Sequence, residues 1–303
     1  MKNNLFTYAT SELSQDAFIC WLLSYAMKNS KEDEGLKECA KDFLKQFIGE
    51  TNEKDFIVTE IERQVNHIDV LVTVNDNYKI IIEDKIFSSE HDDQLGRYMK
   101  IIKDEYKNCK GVYWKTGFQD DYNEVYKHGY LLMDRNNILK TLKKYLNKTN
   151  NNIFHDYYDF WCNYENEANK YKELKLIEWD WDKDNNKYKD KGQFLAFCEY
   201  MKNELKKLNS SVNYGIVNPP NGNWFYAIYG NGKEIVNSDK NRILIYLQFE
   251  INNDQIKLCL KSSYENVENS KISQIRDSLM YVDNEYRFEK YGFKKPKRVR
   301  TWI

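Results

Sequence analysis

The stretch that decides the fold runs from His67 to Lys85 and reads HIDVLVTVNDNYKIIIEDK. Two runs rich in β-branched and apolar residues, 68–74 and 78–82, flank a short polar segment. That segment, Asn75-Asp76-Asn77, has residue types that favour a turn. Two such runs joined by a turn predict a β-hairpin with one strand on each side of Asp76.

Three of the charged residues in this hairpin, Asp69, Glu83 and Lys85, are expected to share one face. Asp69 and Glu83 are each seven residues from Asp76, so a turn centred there places them opposite each other with their Cβ atoms about 5 Å apart. Burying such acids is costly unless a positive charge accompanies them, and Mg²⁺ accepts one or two carboxylates while it keeps water ligands. Lys85 lies two residues beyond Glu83 and hence on the same face, where an ammonium group can stabilise charge on a phosphate.

Helical and strand patterns surround the hairpin. We expect a helix at 12–25, preceded by the N-cap types Thr10 and Ser11. A second helix at 36–48 and a short strand at 56–58 follow it. After the hairpin, Ser88 and Ser89 suit the start of a helix whose apolar face is formed by Leu95, Met99, Ile102 and Tyr106. Strands at 111–114 and 130–133 and helices at 136–146 and 155–168 complete the expected N-terminal part.

These residues together resemble the PD-(D/E)XK nuclease superfamily. The likeness covers about residues 10–116 and rests on Glu12, on Asp69, on Glu83-Asp84-Lys85 and on Gln94-Leu95-Gly96-Arg97-Tyr98. The Gln-x-x-x-Tyr element is similar to the branch that includes lambda exonuclease and the nuclease domains of recombination helicase-nucleases. Ile68 stands where the family pattern has a proline.

The resemblance implies an α/β fold with a three-layer, restriction-endonuclease-like core, in which helices flank a mixed β-sheet. It implies that Asp69, Glu83 and Glu12 are metal ligands, that the Asp84 carbonyl completes the site, and that Lys85 acts on the nucleophilic water. Strand alternation places the Asp84 side chain on the face opposite Glu83 and Lys85. Gln94 and Tyr98 match the pair that the branch places beside the metal and the DNA. The implied function is Mg²⁺-dependent (or Mn²⁺-dependent) hydrolysis of DNA, in restriction, phage defence or repair.

Simpler interpretations of the same residues stay open. Glu12 also suits a helix N-terminus because of the helix dipole, and Gln94 and Tyr98 also suit ordinary helix surface and core. Glu60 and Glu62 alternate onto one strand face and are read as a salt-linked surface. The alternative functions are an RNA nuclease and a catalytically inactive binding or sensing protein on a nuclease scaffold.

Composition narrows the class of protein. The chain has 303 residues, 46 Lys and Arg against 47 Asp and Glu, 41% hydrophobic residues and 15% aromatic residues, a composition that excludes general disorder. The sequence contains no run of about 20 apolar residues of the kind that a membrane helix needs and no signal-peptide pattern, so we expect a cytoplasmic protein without membrane contact. A net charge of -1 is compatible with nucleic-acid binding if positive charge is concentrated locally.

The chain is expected to form two domains. Residues 1–170 are assigned to the nuclease-like domain and 171–303 to an α+β accessory domain of unknown role, with a helix at 193–208 and antiparallel strands at 224–229, 242–250 and 255–260. Residues 287–300 carry seven basic side chains against one acid, which indicates either a solvated charge run or a nucleic-acid contact. The candidate DNA-binding residues in this tail are Lys294, Lys295, Lys297, Arg298 and Arg300. The resemblance also allows a homodimer.

Overall fold

The structure is a computed structural model of the chain. It describes residues 3–49, 55–86, 88–90, 92–119, 122–173 and 175, and in the C-terminal part residues 200, 203–204, 207, 213–217, 225–229, 235–236, 242–252, 255–265 and 301–302. The chain divides into two compact units, Met1–Glu165 and Asn166–Ile303. Within the described residues, no helix has the length and apolar character needed to cross a membrane.

The first unit contains a mixed five-stranded sheet. Its strands are β1 (Val58–Val65), β2 (Ile68–Val74), β3 (Tyr78–Lys85), β4 (Asn108–Lys115) and β5 (Tyr130–Asp134), in that spatial order. Strands β1, β2 and β3 are antiparallel, whereas β3, β4 and β5 are parallel. The helices are α1 (Glu12–Ser24), α2 (Glu34–Ile48), α3 (Gln94–Glu105), α4 (Asn123–Lys127), α5 (Arg135–Lys143) and α6 (Asn152–Glu173). This arrangement agrees with the expected α/β core.

The register of the central hairpin is the one that the sequence predicts. Strands β2 and β3 pair from Val74 opposite Tyr78 to Val70 opposite Ile82, symmetrically about Asp76. The next positions in the same register are Asp69 and Glu83. The turn residue Asp76 has a positive φ of 54°, a conformation that Asp and Asn tolerate better than most residues.

Helices cover both faces of the sheet. On one face, the ring of Trp114 from β4 packs on Phe43 and Phe47 of α2, with centroids 5.2 and 6.3 Å away. On the other face, Tyr113 joins a buried apolar cluster to which α3 contributes Leu95, Tyr98, Met99 and Ile102. Neighbouring residues of a strand point to opposite faces. Since α2 packs on Trp114 and α3 packs near Tyr113, the two helices lie in different layers.

Several element boundaries differ from the sequence predictions, two of them in ways that bear on the site. Strand β1 runs from Val58 to Val65, mostly beyond the predicted 56–58, and the Nζ of Lys79 lies 3.7 Å from the carboxylates of its residues Glu60 and Glu62. The predicted helix start at Ser88 was wrong, since α3 begins at Gln94. Ser88 instead donates its hydroxyl to Glu12.

The second unit contains an antiparallel sheet. Its described strands are β6 (Asn213–Val217), β7 (Phe225–Tyr229), β8 (Ile235–Val236), β9 (Arg242–Asn252), β10 (Gln255–Glu265) and β11 (Thr301–Trp302). The spatial order is β11, β10, β9, β7, β6, and β8 also pairs with β9. Most of the predicted helix at 193–208 and the whole basic tail at 287–300 lie outside the described residues.

Candidate active site

The three charged residues of the hairpin meet at one end of the sheet. The Lys85 ammonium group donates to Glu83 Oε1 and lies 3.8 Å from Asp69 Oδ2. The Asp69 carboxylate lies near enough to Glu83 to raise the pKa of Glu83 by charge repulsion. The backbone N–H of Asp84 donates to Asp69 Oδ2 at 3.0 Å. The side chains of Asp69, Glu83 and Lys85 therefore share one face.

Burial determines the charge state of this group. Glu83 is 0% exposed, and desolvation, followed by repulsion from Asp69, raises the pKa of Glu83 to about 8 against the opposing effect of Lys85. Burial on its own would lower the pKa of Lys85, but attraction to Glu83 and Asp69 outweighs it and raises that pKa. The site thus favours a positive charge between its two acids, and Lys85 supplies that charge in the chain itself.

Two buried oxygen atoms beside these residues lack hydrogen-bond donors. Across the part of the chain that the structure describes, neither Glu83 Oε2 nor Gln94 Oε1 has a hydrogen-bond partner. Gln94 Nε2 donates to the Tyr98 hydroxyl at 3.0 Å, so the amide oxygen is the free end of this side chain. Buried acceptors without donors are costly, and oxygen atoms of carboxylates and amides are the ligands that hard divalent cations prefer. For this reason, the free oxygen atoms of Glu83 and Gln94 are suitable ligands for a divalent cation.

The site is not a closed metal cage. Among the described residues, no three His, Cys, Asp or Glu side chains converge in a metal-binding arrangement. A two-carboxylate site that leaves several positions to water and backbone carbonyls is the pattern typical of Mg²⁺. The donor set of Asp69 and Glu83 therefore suits an open site rather than a structural one.

Glu12 is the first residue of α1 and contacts the segment that follows β3. The helix begins there because Ser11 caps it, accepting a hydrogen bond from the Ser14 N–H. Glu12 Oε1 accepts hydrogen bonds from the Ile86 N–H at 3.0 Å and from the Ser88 hydroxyl at 2.6 Å. One carboxylate oxygen of Glu12 is thus fixed by the segment after β3, and both of these hydrogen bonds are with that segment rather than with Asp69 or Glu83.

Lys115 is a further buried lysine that sequence reasoning missed. It ends β4 directly beside Lys85, in the parallel register Lys85↔Lys115, and it is 1% exposed. Its Nζ donates to the Ser88 carbonyl at 2.5 Å, and burial lowers its pKa to about 7. The signal that could have found it is a lysine at the end of a second apolar strand, Gly111-Val112-Tyr113-Trp114-Lys115, like the lysine that ends β3.

The Asp84 side chain lies on the opposite face of the sheet, as the alternation of the strand predicts. It is 0% exposed. Gln15 Nε2 donates to Asp84 Oδ1 at 2.5 Å, while Gln15 Oε1 accepts from the hydroxyls of Thr116 and Tyr157, each at 2.9 Å. The carboxyl group of Asp16 lies near enough to Asp84 to raise the pKa of Asp84 by charge repulsion. This network joins α1 and α6 to the strand that carries the candidate site.

The burial of Asp84 near Asp16 predicts a pH-dependent stability. Burial, then repulsion from Asp16, raises the pKa of Asp84 well above its ordinary value, so the folded chain binds a proton that the unfolded chain releases above about pH 4. The free energy of unfolding should therefore fall as the pH rises above 4. Asp84→Asn keeps a donor toward Asp16 and an acceptor for Gln15, and it should remove the Asp84 share of this slope.

Urea denaturation of both proteins between pH 5 and 8 measures the slope. We expect Asp84→Asn to match the wild type near pH 5 and to exceed it in free energy of unfolding at pH 8. As a comparison, Asp84→Ala loses the hydrogen bond from Gln15 and should be less stable by about 1–3 kcal/mol at every pH. Equal pH slopes for the wild type and Asp84→Asn would show that Asp84 is ionised in the folded chain.

Comparison with known proteins gives one match. A family model described as the PD-(D/E)XK nuclease superfamily matches residues 3–163, which is more than half of the chain. No curated protein and no solved structure gives a significant match. The matched region contains each of the predicted site residues except the basic tail, and it ends close to the end of the first compact unit.

Proposed function

Because the chain belongs to the PD-(D/E)XK nuclease superfamily, we propose that it is a Mg²⁺- or Mn²⁺-dependent nuclease that hydrolyses phosphodiester bonds in DNA. The observation that carries the proposal is the convergence of Asp69, Glu83 and Lys85 at one end of the sheet. The donor-free oxygen of Glu83 lies in the same group. A buried glutamate, a partly buried aspartate and an adjoining lysine combine groups that can bind a cation with a group that can neutralise a phosphate.

The proposed metal ligands are Asp69 and Glu83, with the backbone carbonyl of Asp84. Glu12 is proposed as a third ligand that would have to turn toward the cation, because its Oε1 now accepts hydrogen bonds from Ile86 and Ser88. A divalent cation at such a site supplies Lewis-acid stabilisation of charge on a phosphate oxygen. The hydrogen bond from the Asp84 N–H fixes the orientation of the Asp69 carboxylate. This contact limits the reorganisation that Asp69 needs when a cation binds.

Lys85, Gln94 and Tyr98 are assigned to the substrate side of the site. The raised pKa of Lys85 keeps its ammonium group protonated at neutral pH, so it can orient the attacking water and neutralise charge on the phosphate. Burial raises the pKa of the Tyr98 hydroxyl, which keeps it a neutral hydrogen-bond donor. The Gln94 amide, bonded to that hydroxyl, presents its oxygen as an acceptor.

A cleavage assay tests the proposal. Purified wild-type protein should cut DNA in the presence of Mg²⁺ or Mn²⁺ and lose this activity in excess chelator, and Asp69→Asn should be inactive at the same protein concentration. The same assay with single- and double-stranded RNA separates the substrate classes, because preferential RNA cleavage would replace DNA in the proposal. Absence of cleavage, together with absence of Mn²⁺ binding in calorimetry, would favour a catalytically inactive binding protein on a nuclease scaffold.

A further inference from the structure

Gln64 occupies an unusual backbone conformation near the end of β1. Its φ is 55°, in the left-handed region that a side chain other than Gly, Asn or Asp rarely adopts. The residues of the following turn, Asn66 and His67, also have positive φ values of 52° and 67°. In those two residues the conformation is the ordinary requirement of a two-residue hairpin turn, but Gln64 lies before that turn and inside the strand.

The pairing of β1 with β2 is interrupted at the same position. Arg63 pairs with Val70, and Val65 pairs with Ile68. The position opposite Gln64 in this register is Asp69, and that pair is missing from the ladder. The left-handed backbone of Gln64 therefore coincides with a local break in the sheet, directly beside a candidate metal ligand.

The side chain of Gln64 uses this break to reach two carboxylates. Gln64 Nε2 lies 3.2 Å from Asp69 Oδ1 and 3.3 Å from Asp16 Oδ2. An amide nitrogen has two N–H donors, so it can serve both acids at once. Since the Asp84 N–H donates to Asp69 Oδ2, both oxygens of Asp69 are held, one from each neighbouring strand.

Unfavourable backbone conformations persist where the surrounding structure requires them, and they are common at functional sites. A strand residue without a role in the site would adopt the ordinary extended conformation and complete the ladder. The hydrogen bonds of the Gln64 amide to Asp69 and Asp16 are a specific gain that the extended conformation would forgo. The strain at Gln64 and the orientation of Asp69 are thus linked through one side chain.

We propose that Gln64 is a positioning residue for the metal site: its left-handed backbone aims the carboxamide at Asp69 and holds that carboxylate in its metal-binding orientation. This inference rests on the proposed function, because it takes Asp69 to be a metal ligand. Partners that orient a metal ligand typically change metal affinity by 10–100-fold when they are removed. Gln64 is exposed at the sheet edge, where water competes for its hydrogen bonds, so the lower end of that range applies.

Two substitutions separate positioning from general stability. Gln64→Gly removes the amide and also removes the backbone strain, because glycine adopts positive φ freely. We expect its melting temperature to equal or exceed that of the wild type, while its Mn²⁺ affinity, measured by calorimetry on the full chain, falls about tenfold. Gln64→Met keeps the length and the strain but removes the donors, so its Mn²⁺ affinity should fall by a similar factor without a rise in melting temperature.

His67→Gly is the matched control. It relieves a positive φ in the same hairpin. His67 is not among the residues that hold Asp69 in the described site, so Mn²⁺ affinity should stay at the wild-type value. Wild-type Mn²⁺ affinity in both Gln64 variants would overturn the positioning role and leave the proposed function intact. If the wild type itself bound no Mn²⁺, the proposed function and this inference would both be overturned.

Discussion

The Lys85→Met variant is expected to cleave DNA about a hundred- to a thousandfold more slowly than the wild type, at saturating Mg²⁺ and DNA. Methionine retains the unbranched stem and removes only the ammonium group that contacts Glu83 and approaches Asp69. Without that charge, the buried Glu83 carboxyl group binds a proton more readily, since burial already raises its pKa. The variant loses both the cation beside the phosphate and part of the anionic charge that binds metal.

Lys79 supplies the control for this prediction. It is also buried, at 5% exposure, on the same face of β3, but it pairs with Glu60 and Glu62, and six residues of strand separate it from Lys85 by about 20 Å. Lys79→Met should lower the melting temperature and keep the wild-type cleavage rate per folded molecule. Equal loss of cleavage in both variants would mean that destabilisation, rather than the ammonium group, explains the effect.

The Trp114→Ala variant is expected to lose about 3–5 kcal/mol in free energy of unfolding. Trp114 is 1% exposed, packs on the rings of Phe43 and Phe47, and donates its indole N–H to the Tyr157 hydroxyl at 3.2 Å. Truncation removes the ring contacts between the sheet and α2 and leaves a cavity. Because Tyr157 also donates to Gln15, the change disturbs the network that supports Asp84.

Urea denaturation followed by circular dichroism measures this effect. The matched control is Tyr126→Ala, which truncates an aromatic side chain that is 61% exposed and should change the free energy of unfolding by less than about 0.5 kcal/mol. A loss below about 1 kcal/mol for Trp114→Ala would contradict the close packing of α2 on the sheet.

Much of the central fold was predictable because it depends on contacts close in sequence. The Asn75–Asn77 turn and the runs on either side of it set the register of β2 and β3, and with it the approach of Asp69 to Glu83. The start of α1 was predictable for a similar reason, since Ser11 is a strong N-cap residue and caps the helix directly.

The missed features depend on contacts that are distant in sequence or on backbone geometry. Lys115 reaches Ser88 only because β4 lies parallel to β3, and a pattern of apolar residues does not specify which strands become neighbours. Gln64 belongs to a polar edge strand with little hydrophobic alternation, and no residue-type rule predicts a positive φ for Gln. The failed helix start at Ser88 has the same origin, because the partner of its hydroxyl, Glu12, is 76 residues away in the chain.

The ammonium group between Asp69 and Glu83 also affects the protein in its metal-free state. Two neighbouring acids without a counter-ion would repel each other and weaken the sheet, whereas this pair carries its own counter-ion on the same strand. On the proposed function, an incoming divalent ion would have to compete with this tethered internal charge, which would make its binding weaker and more readily reversible than binding to bare acids. Folding would then not depend on the metal, and occupancy of the site would follow the concentration of free ion in the surroundings.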